Sequence, residues 1–169
     1  KTLSQKIVAC STQASKEYIQ PGMRLSEARA ICGELLSLPY DTKLYEEAQT
    51  EIARQLINLS PRVSVFEPGI FLLDASGLSH FGGESRFAAN ALKILSKLGY
   101  VEARVGIADS AFAASVATRL KGRRWHLVPF GTDKKFIAPM PVEYLPLSSE
   151  SVDVLRDLGI KSVGDFAGL

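Results

Sequence analysis

Apolar positions along the chain switch between two periods. Leu44, Ala48, Ile52, Leu56 and Leu59 recur every three or four residues, which predicts a long amphipathic helix capped by Asp41 or Thr42 and stopped by Ser60-Pro61. Phe87, Ala88, Ala91, Leu92, Leu95 and Leu98 repeat in the same way after Gly82-Gly83, a turn and helix start. Leu25, Ala28, Ile31, Cys32 and Leu35 follow the breaker Pro21-Gly22, and Ser110 to Leu120 reads as a helix of small residues. Between the helices lie strand patterns. Arg62 to Glu67 and Ile70 to Ala75 are separated only by Pro68-Gly69, which predicts an antiparallel hairpin. Val101 to Ala108 reads as a further strand, Arg124 to Val128 as a short one, Lys6 to Thr12 as a β-like run, and Leu36 to Leu38 as a short extended piece.

The order β-β-α-β from Arg62 to Ala108 is three quarters of a β-α-β-β-α-β split sheet, whose opening β-α is not in the chain. Residues 129–141 hold three prolines and a glycine and read as a linker. Ser149 to Asp157, then Leu158-Gly159-Ile160, then Ser162 onward predict helix, tight turn, helix. The expected class is α+β, with no internal repeat.

Composition narrows this little. At 169 residues, 46% hydrophobic and 22% charged, the chain is a folded domain, alone or with a small appendage. It has neither an apolar run of the ~20 residues that span a bilayer nor a basic-then-apolar leader, so the expectation is a cytoplasmic protein without membrane partners. Cys10 and Cys32 form no disulfide framework and lack zinc-site neighbours, so both are expected to be reduced, mostly buried thiols. A net charge of +2 neither implies nor excludes a polyanion. The start at Lys1 and the stop inside a predicted helix lead us to expect further protein at both ends.

Conventional catalytic signatures are missing. His80 and His126 are far apart and without metal-ligand spacing, and there is no nucleophile elbow, Walker loop or dinucleotide fingerprint. Asp74 is the one acid in an apolar strand; lacking a partner acid, it is expected to accept backbone hydrogens from the Ser76-Gly77 turn. Arg119, Lys121, Arg123, Arg124, Lys134 and Lys135 stand against the single acid Asp133, with Trp125 and His126 interleaved. Two readings stay open: a stripe that neutralises phosphates while Trp125 stacks on a base, or a solvated turn whose Trp125 packs inward. The Gly159-Ile160 turn, with Lys161 and Ser162 beside it, fits a helix-hairpin-helix element whose free backbone N–H groups face a phosphate. The DNA-contact candidates are therefore Lys121, Arg123, Arg124, Gly159, Ile160, Lys161 and Ser162.

In this order the pieces resemble the Y-family (lesion-bypass) DNA polymerases. Ser60-Pro61-Arg62-Val63 resembles that family's "YSPxVE", Leu73-Asp74-Ala75-Ser76-Gly77 its "LDVTG", Phe81-Gly82 its "LFG" and Gly106-Ile107-Ala108 its "GIA". Residues 158–165 resemble "LGIxTIGDL", and Pro21-Gly22-Met23 with Ser26-Glu27-Ala28 resembles "SGMPxxEA". The resemblance implies a fingers-like region with the adjoining palm edge over 1–59, a partial ferredoxin-like palm over 60–138, and the start of a helix-hairpin-helix thumb over 139–169.

Departures from the pattern bear on function. Aligning Leu73-Asp74 with the end of the family strand S-I-D-E-A-F-L-D puts Gly69 and Ile70 at the metal-binding acids. The "YEAR" that holds the triphosphate falls on residues 12–15, leaving Thr12 a hydroxyl and Ser15 no guanidinium. The lysines of "NKxLAK" are lost over Ser110, Ala111 and Ser115, and the thumb glycine hairpin gives way to Pro146-Leu147-Ser148-Ser149. Polymerase activity is expected to be negligible, since these groups supply much of the charge stabilisation in two-metal phosphoryl transfer. The pattern is similar to the non-catalytic ImuB-type branch, which implies sequence-independent DNA binding in translesion synthesis and damage-induced (SOS) mutagenesis. It also implies a sliding clamp, a replicative-type polymerase and a RecA-like companion as partners. No cofactor is expected; Mg²⁺ enters only under the alternative of a divergent, active nucleotidyltransferase with acids upstream of Lys1. A protein-interaction scaffold without DNA affinity is the other alternative.

Overall fold

The computed structural model describes residues 5–77 and 82–168, which leaves His80 and Phe81 outside the described residues. The chain divides into two compact units, residues 1–46 and 47–169. The boundary falls inside the long helix rather than after it.

In the first unit, the run expected to be β-like makes a single bridge, Lys6 with Arg24, extended by bonds from Ile7 N to Met23 O and from Gly22 N to Ile7 O. Helix α1 (Thr12–Lys16) begins where the Ser11 hydroxyl accepts the Ala14 N–H. Helix α2 (Leu25–Ile31) ends before Leu35, because Cys32 turns to extended backbone. Ile19 and Ala28 are the buried apolar residues of this unit, and Leu36 and Leu38 form no strand and lie open to solvent. Cys10 and Cys32 are free and only half-buried, contrary to the expected burial. The Cys10 thiol lies 3.2 Å from the Ser15 hydroxyl, at the rim of this small core. The Asp41 carboxylate accepts the Leu44 N–H and so caps α3 (Thr42–Leu56), as its sequence predicts.

The second unit contains the predicted hairpin. β1 (Val63–Glu67) pairs antiparallel with β2 (Ile70–Leu73), with Val63 opposite Leu73 and an irregularity between Val65 and Glu67. Helix α4 (Gly83–Lys97) buries Phe87, Ala88, Ala91 and Leu92, the face its periodicity marks. β3 (Val105–Ile107) then pairs parallel with β4 (Trp125–Leu127), and α5 (Ala111–Thr118) connects them. Phe87, Ala88 and Ile107 form the core, with Leu59, Leu73, Ala75, Val105 and Trp125 against it. Among the described residues α4 thus joins two separate two-stranded sheets, and β2 and β3 each keep one edge outside a ladder.

Residues 129–141 are not a bare linker: α6 (Asp133–Ile137) sits between the prolines. A 3-10 turn at Val142–Tyr144, α7 (Ser149–Asp157) and α8 (Val163–Ala167) follow, around a second core of Val142, Val152 and Ile160. Among the described residues no helix is long and apolar enough to cross a membrane.

Candidate functional site

A cavity of about 980 Å³ lies between β2 and β3. It gathers five of the positions singled out in the sequence: Gly69 and Ile70 from the hairpin, and Ser110, Ala111 and Ser115 from α5. Gly69 occupies the hairpin turn with φ of +82°, a left-handed conformation that glycine adopts without a Cβ clash. Ile70, the first residue of β2, presents only hydrocarbon. Neither offers a side-chain oxygen to a hard cation. Among the described residues no three His, Cys, Asp or Glu side chains come together in a group suited to a metal ion.

Asp74, on the same wall, serves the turn as expected. Its carboxylate accepts the Ser76 N–H at 2.9 Å and lies 3.4 Å from the Arg62 guanidinium. The hydrogen bonds from Ser76 hold its carboxyl below the usual aspartate range, with the nearby Arg62 charge acting in the same direction.

The start of α5 carries a feature that its sequence does not reveal. The Ser110 hydroxyl caps the helix through the Ala113 N–H. The Asp133 carboxylate then accepts from Ser110 N at 2.7 Å, from the Ser110 hydroxyl at 2.6 Å and from Asp109 N at 3.3 Å. Reciprocally, the Asp109 carboxylate accepts the Gly131 N–H at 2.6 Å. A helix N-terminus attracts anions through its unpaired N–H groups and dipole, and here an anion of the chain itself fills it. The two partners lie more than twenty residues apart, and only their acidity and hydroxyl chemistry could have hinted at the clasp.

The basic stripe divides. Arg124 donates to the Val101 carbonyl and Arg104 to the Leu120 carbonyl, so both guanidinium groups tie loops together. Arg119 lies 5.4 Å from the centroid of the Tyr144 ring. Lys121, Arg123, Lys134 and Lys135 are exposed. Trp125 packs against the core, so of the two readings left open for its side chain the inward one holds. His126 also turns inward, its Nε2 buried without a hydrogen-bond partner.

The Gly159 turn has a left-handed backbone, with φ of +81°, but its N–H groups are not free, contrary to expectation. Gly159 N donates to Arg156 O and Ile160 N to Leu155 O, while Lys161 N and Ser162 N donate to the Asp165 carboxylate at 3.2 and 2.9 Å. Asp165 reaches back because α8, five residues long, closes its start with a capping box. The hydrogen bonds from Ser162, joined by one from Lys161 N and by the Lys161 charge, hold the Asp165 carboxyl below its usual range. What the turn offers an external anion is the exposed Lys161 side chain. Thr12 and Ser15 lie exposed on α1 in the first unit.

Residues 1–119 match the impB/mucB/samB family. The chain belongs to that family. Over 167 residues, 96% of its length, this family member is 28% identical to DNA polymerase IV of Dehalococcoides mccartyi strain CBDB1, and it spans 43% of that protein. Over 150 residues, 88% of its length, it is 29% identical to Protein ImuB of Caulobacter vibrioides strain NA1000, spanning 32% of it. Its fold superposes on a DinB family error-prone DNA polymerase from Sulfolobus solfataricus with a TM-score of 0.76 and 18% identity, over 96% of this chain and 51% of the other. A ternary complex of the Dbh polymerase gives 0.73 at 19% identity, over 97% and 50%. The α+β architecture is therefore that of the Y-family polymerases, and the chain spans less than half the length of these curated relatives.

Proposed function

We propose that this impB/mucB/samB family member is a polymerase-like module that has lost nucleotidyl transfer and positions primer–template DNA during translesion synthesis. The observation that carries the reading is the hairpin. In the alignment with the family strand, both acid positions fall at the Gly69 turn and Ile70, which line the cavity without a carboxylate. The self-filled start of α5 adds to it. An incoming triphosphate at Ser110 would meet the Asp133 carboxylate instead of a lysine. Under this reading residues 1–59 correspond to fingers with the palm edge, 60–138 to palm and 139–169 to the beginning of a thumb. ImuB, among the similar proteins, supports the non-catalytic branch, and the clamp, replicative-type polymerase and RecA-like companion are proposed partners on that basis.

DNA contact is assigned to the exposed cations Lys121, Arg123 and Lys161, with Arg124 shaping the loop that carries two of them. Anisotropy with a labelled primer–template at several salt concentrations tests this. Each phosphate contact adds roughly 0.9 to the slope of log affinity against log salt, so Lys121→Glu/Arg123→Glu lowers that slope by about 2. Salt-insensitive binding by the parent, or an unaltered slope in the variant, refutes the assignment. Template-dependent, Mg²⁺-dependent extension by the full polypeptide containing this chain refutes the loss of catalysis.

A further inference from the structure

Phe130 is 93% exposed, the most exposed of the large apolar side chains described. It does not lie on a loose loop. Thr132 N and the Thr132 hydroxyl both donate to Pro129 O, the latter at 2.6 Å, closing the Pro129–Thr132 turn. Gly131, with φ of +74°, donates its N–H to Asp109, and Asp133 ties the other side of the turn to Ser110. Five hydrogen bonds thus hold an aromatic ring out in water, beside the mouth of the cavity that Phe130 also lines. Leaving a Phe in water forgoes the gain of burying its ring. A locked turn that keeps it there preorganises a contact surface.

The charges beside it indicate what fits. Asp133 faces inward on Ser110, while Lys134 and Lys135, which follow it directly in α6, are exposed and without an ion pair among the described residues. An aromatic face followed by two free ammonium groups matches single-stranded nucleic acid, which offers a base to stack and phosphates to neutralise. We infer that Phe130 is a stacking platform for an unpaired DNA base, with Lys134 and Lys135 holding the flanking phosphates. The inference rests on the DNA-binding reading. It moves the stacking role from Trp125, which packs inward, to Phe130, between Arg124 and Lys134 of the same stripe.

The test compares a labelled oligothymidine strand with a duplex of the same length. Phe130→Ala weakens single-strand binding on the order of tenfold while leaving the duplex affinity and the salt slope unchanged. Phe130→Leu does not restore single-strand binding. Phe130→Trp does, and its emission falls on addition of the strand, whereas the parent's Trp125 emission is steady. Lys134→Glu/Lys135→Glu lowers the salt slope by about 2 and keeps that quenching. With a ring this exposed, all three Phe130 variants should fold, which circular dichroism and an unaltered melting temperature verify. Single-strand binding that tolerates Phe130→Ala or Phe130→Leu overturns the inference alone. A parent that binds neither strand nor duplex at low salt overturns the DNA reading with it.

Discussion

Gly106 marks the closest approach in the second unit, and replacing it tests the packing that positions the candidate site. A Cβ built there collides with the Ala114 carbonyl oxygen, and would stand 2.9 Å from the Ala114 carbonyl carbon and 3.0 Å from the Ala117 Cβ. These are backbone and buried helix atoms, so relief requires α5 to lift off β3. Added methyl groups in packed interiors usually cost 1–3 kcal/mol. Here the obstacle is a helix backbone rather than a flexible side chain, so we expect about 3 kcal/mol or more from Gly106→Ala. Gly69→Ala is the control: φ is +82° but no atom lies within 4 Å, so only left-handed strain of roughly 1–2 kcal/mol applies. Urea titration with circular dichroism measures both. At an m-value near 1–3 kcal/mol/M, Gly106→Ala shifts the midpoint down by more than 1 M and Gly69→Ala by clearly less. Equal shifts, or a Gly106→Ala midpoint within about 0.3 M of the parent at unchanged m, would show that α5 does not press on β3 as described.

Two further outcomes follow from the carboxylates. The Asp165 carboxyl is depressed in the folded state by its bonds from Ser162 and Lys161, so its stabilising contribution is complete above the ordinary aspartate range and is lost as pH falls through the lowered value. Asp165→Asn therefore narrows the stability gap between neutral pH and about pH 3 relative to the parent in acid-dependent melting, and an unaltered gap contradicts it. Asp133→Ala removes three acceptor contacts at the start of α5, and we expect a loss of about 1–2 kcal/mol with faster amide exchange at Asp109 and Ser110. Unchanged exchange at both amides would show that the clasp does not persist in solution.

Period-based reading succeeded where an element buries one continuous face. α4 and α7 appear over nearly the predicted residues because Phe87, Ala88, Ala91 and Leu92, or Val152 and Leu155, point one way. It failed where apolar residues serve caps. The strand read from Val101 is delayed: Tyr100 N donates to Leu95 O and closes the end of α4, Val101 N donates to Gly99 O, and β3 starts only at Val105. α6 was hidden because five residues carry no readable period, and Pro129 and Pro139 flank it rather than break it. The candidate site was legible in parts: Gly69 and Ile70 were placed by alignment, and the cavity joins them to Ser110 and Ser115. The Asp109–Gly131 and Asp133–Ser110 clasp was not legible, because it depends on two loops distant in sequence meeting in space.

The two helix starts within reach of phosphate chemistry have met the same end. In α5 the donors of Asp109 and Ser110 are taken by Asp133, and before α8 those of Lys161 and Ser162 are taken by Asp165. Backbone N–H groups recognise an anion at short range in a fixed direction, whereas exposed ammonium and guanidinium groups attract it over about a Debye length without fixing its geometry. Under the proposed function, filling the first kind of site internally while leaving Lys121, Arg123, Lys134, Lys135 and Lys161 exposed would shift anion recognition from placing one triphosphate to attracting a polyanionic backbone. Placing a triphosphate demands the directional donors of a catalytic centre, and holding a DNA strand does not. The proposed DNA retention without nucleotide addition therefore requires that affinity for DNA fall steeply with salt while affinity for a free triphosphate stay weak.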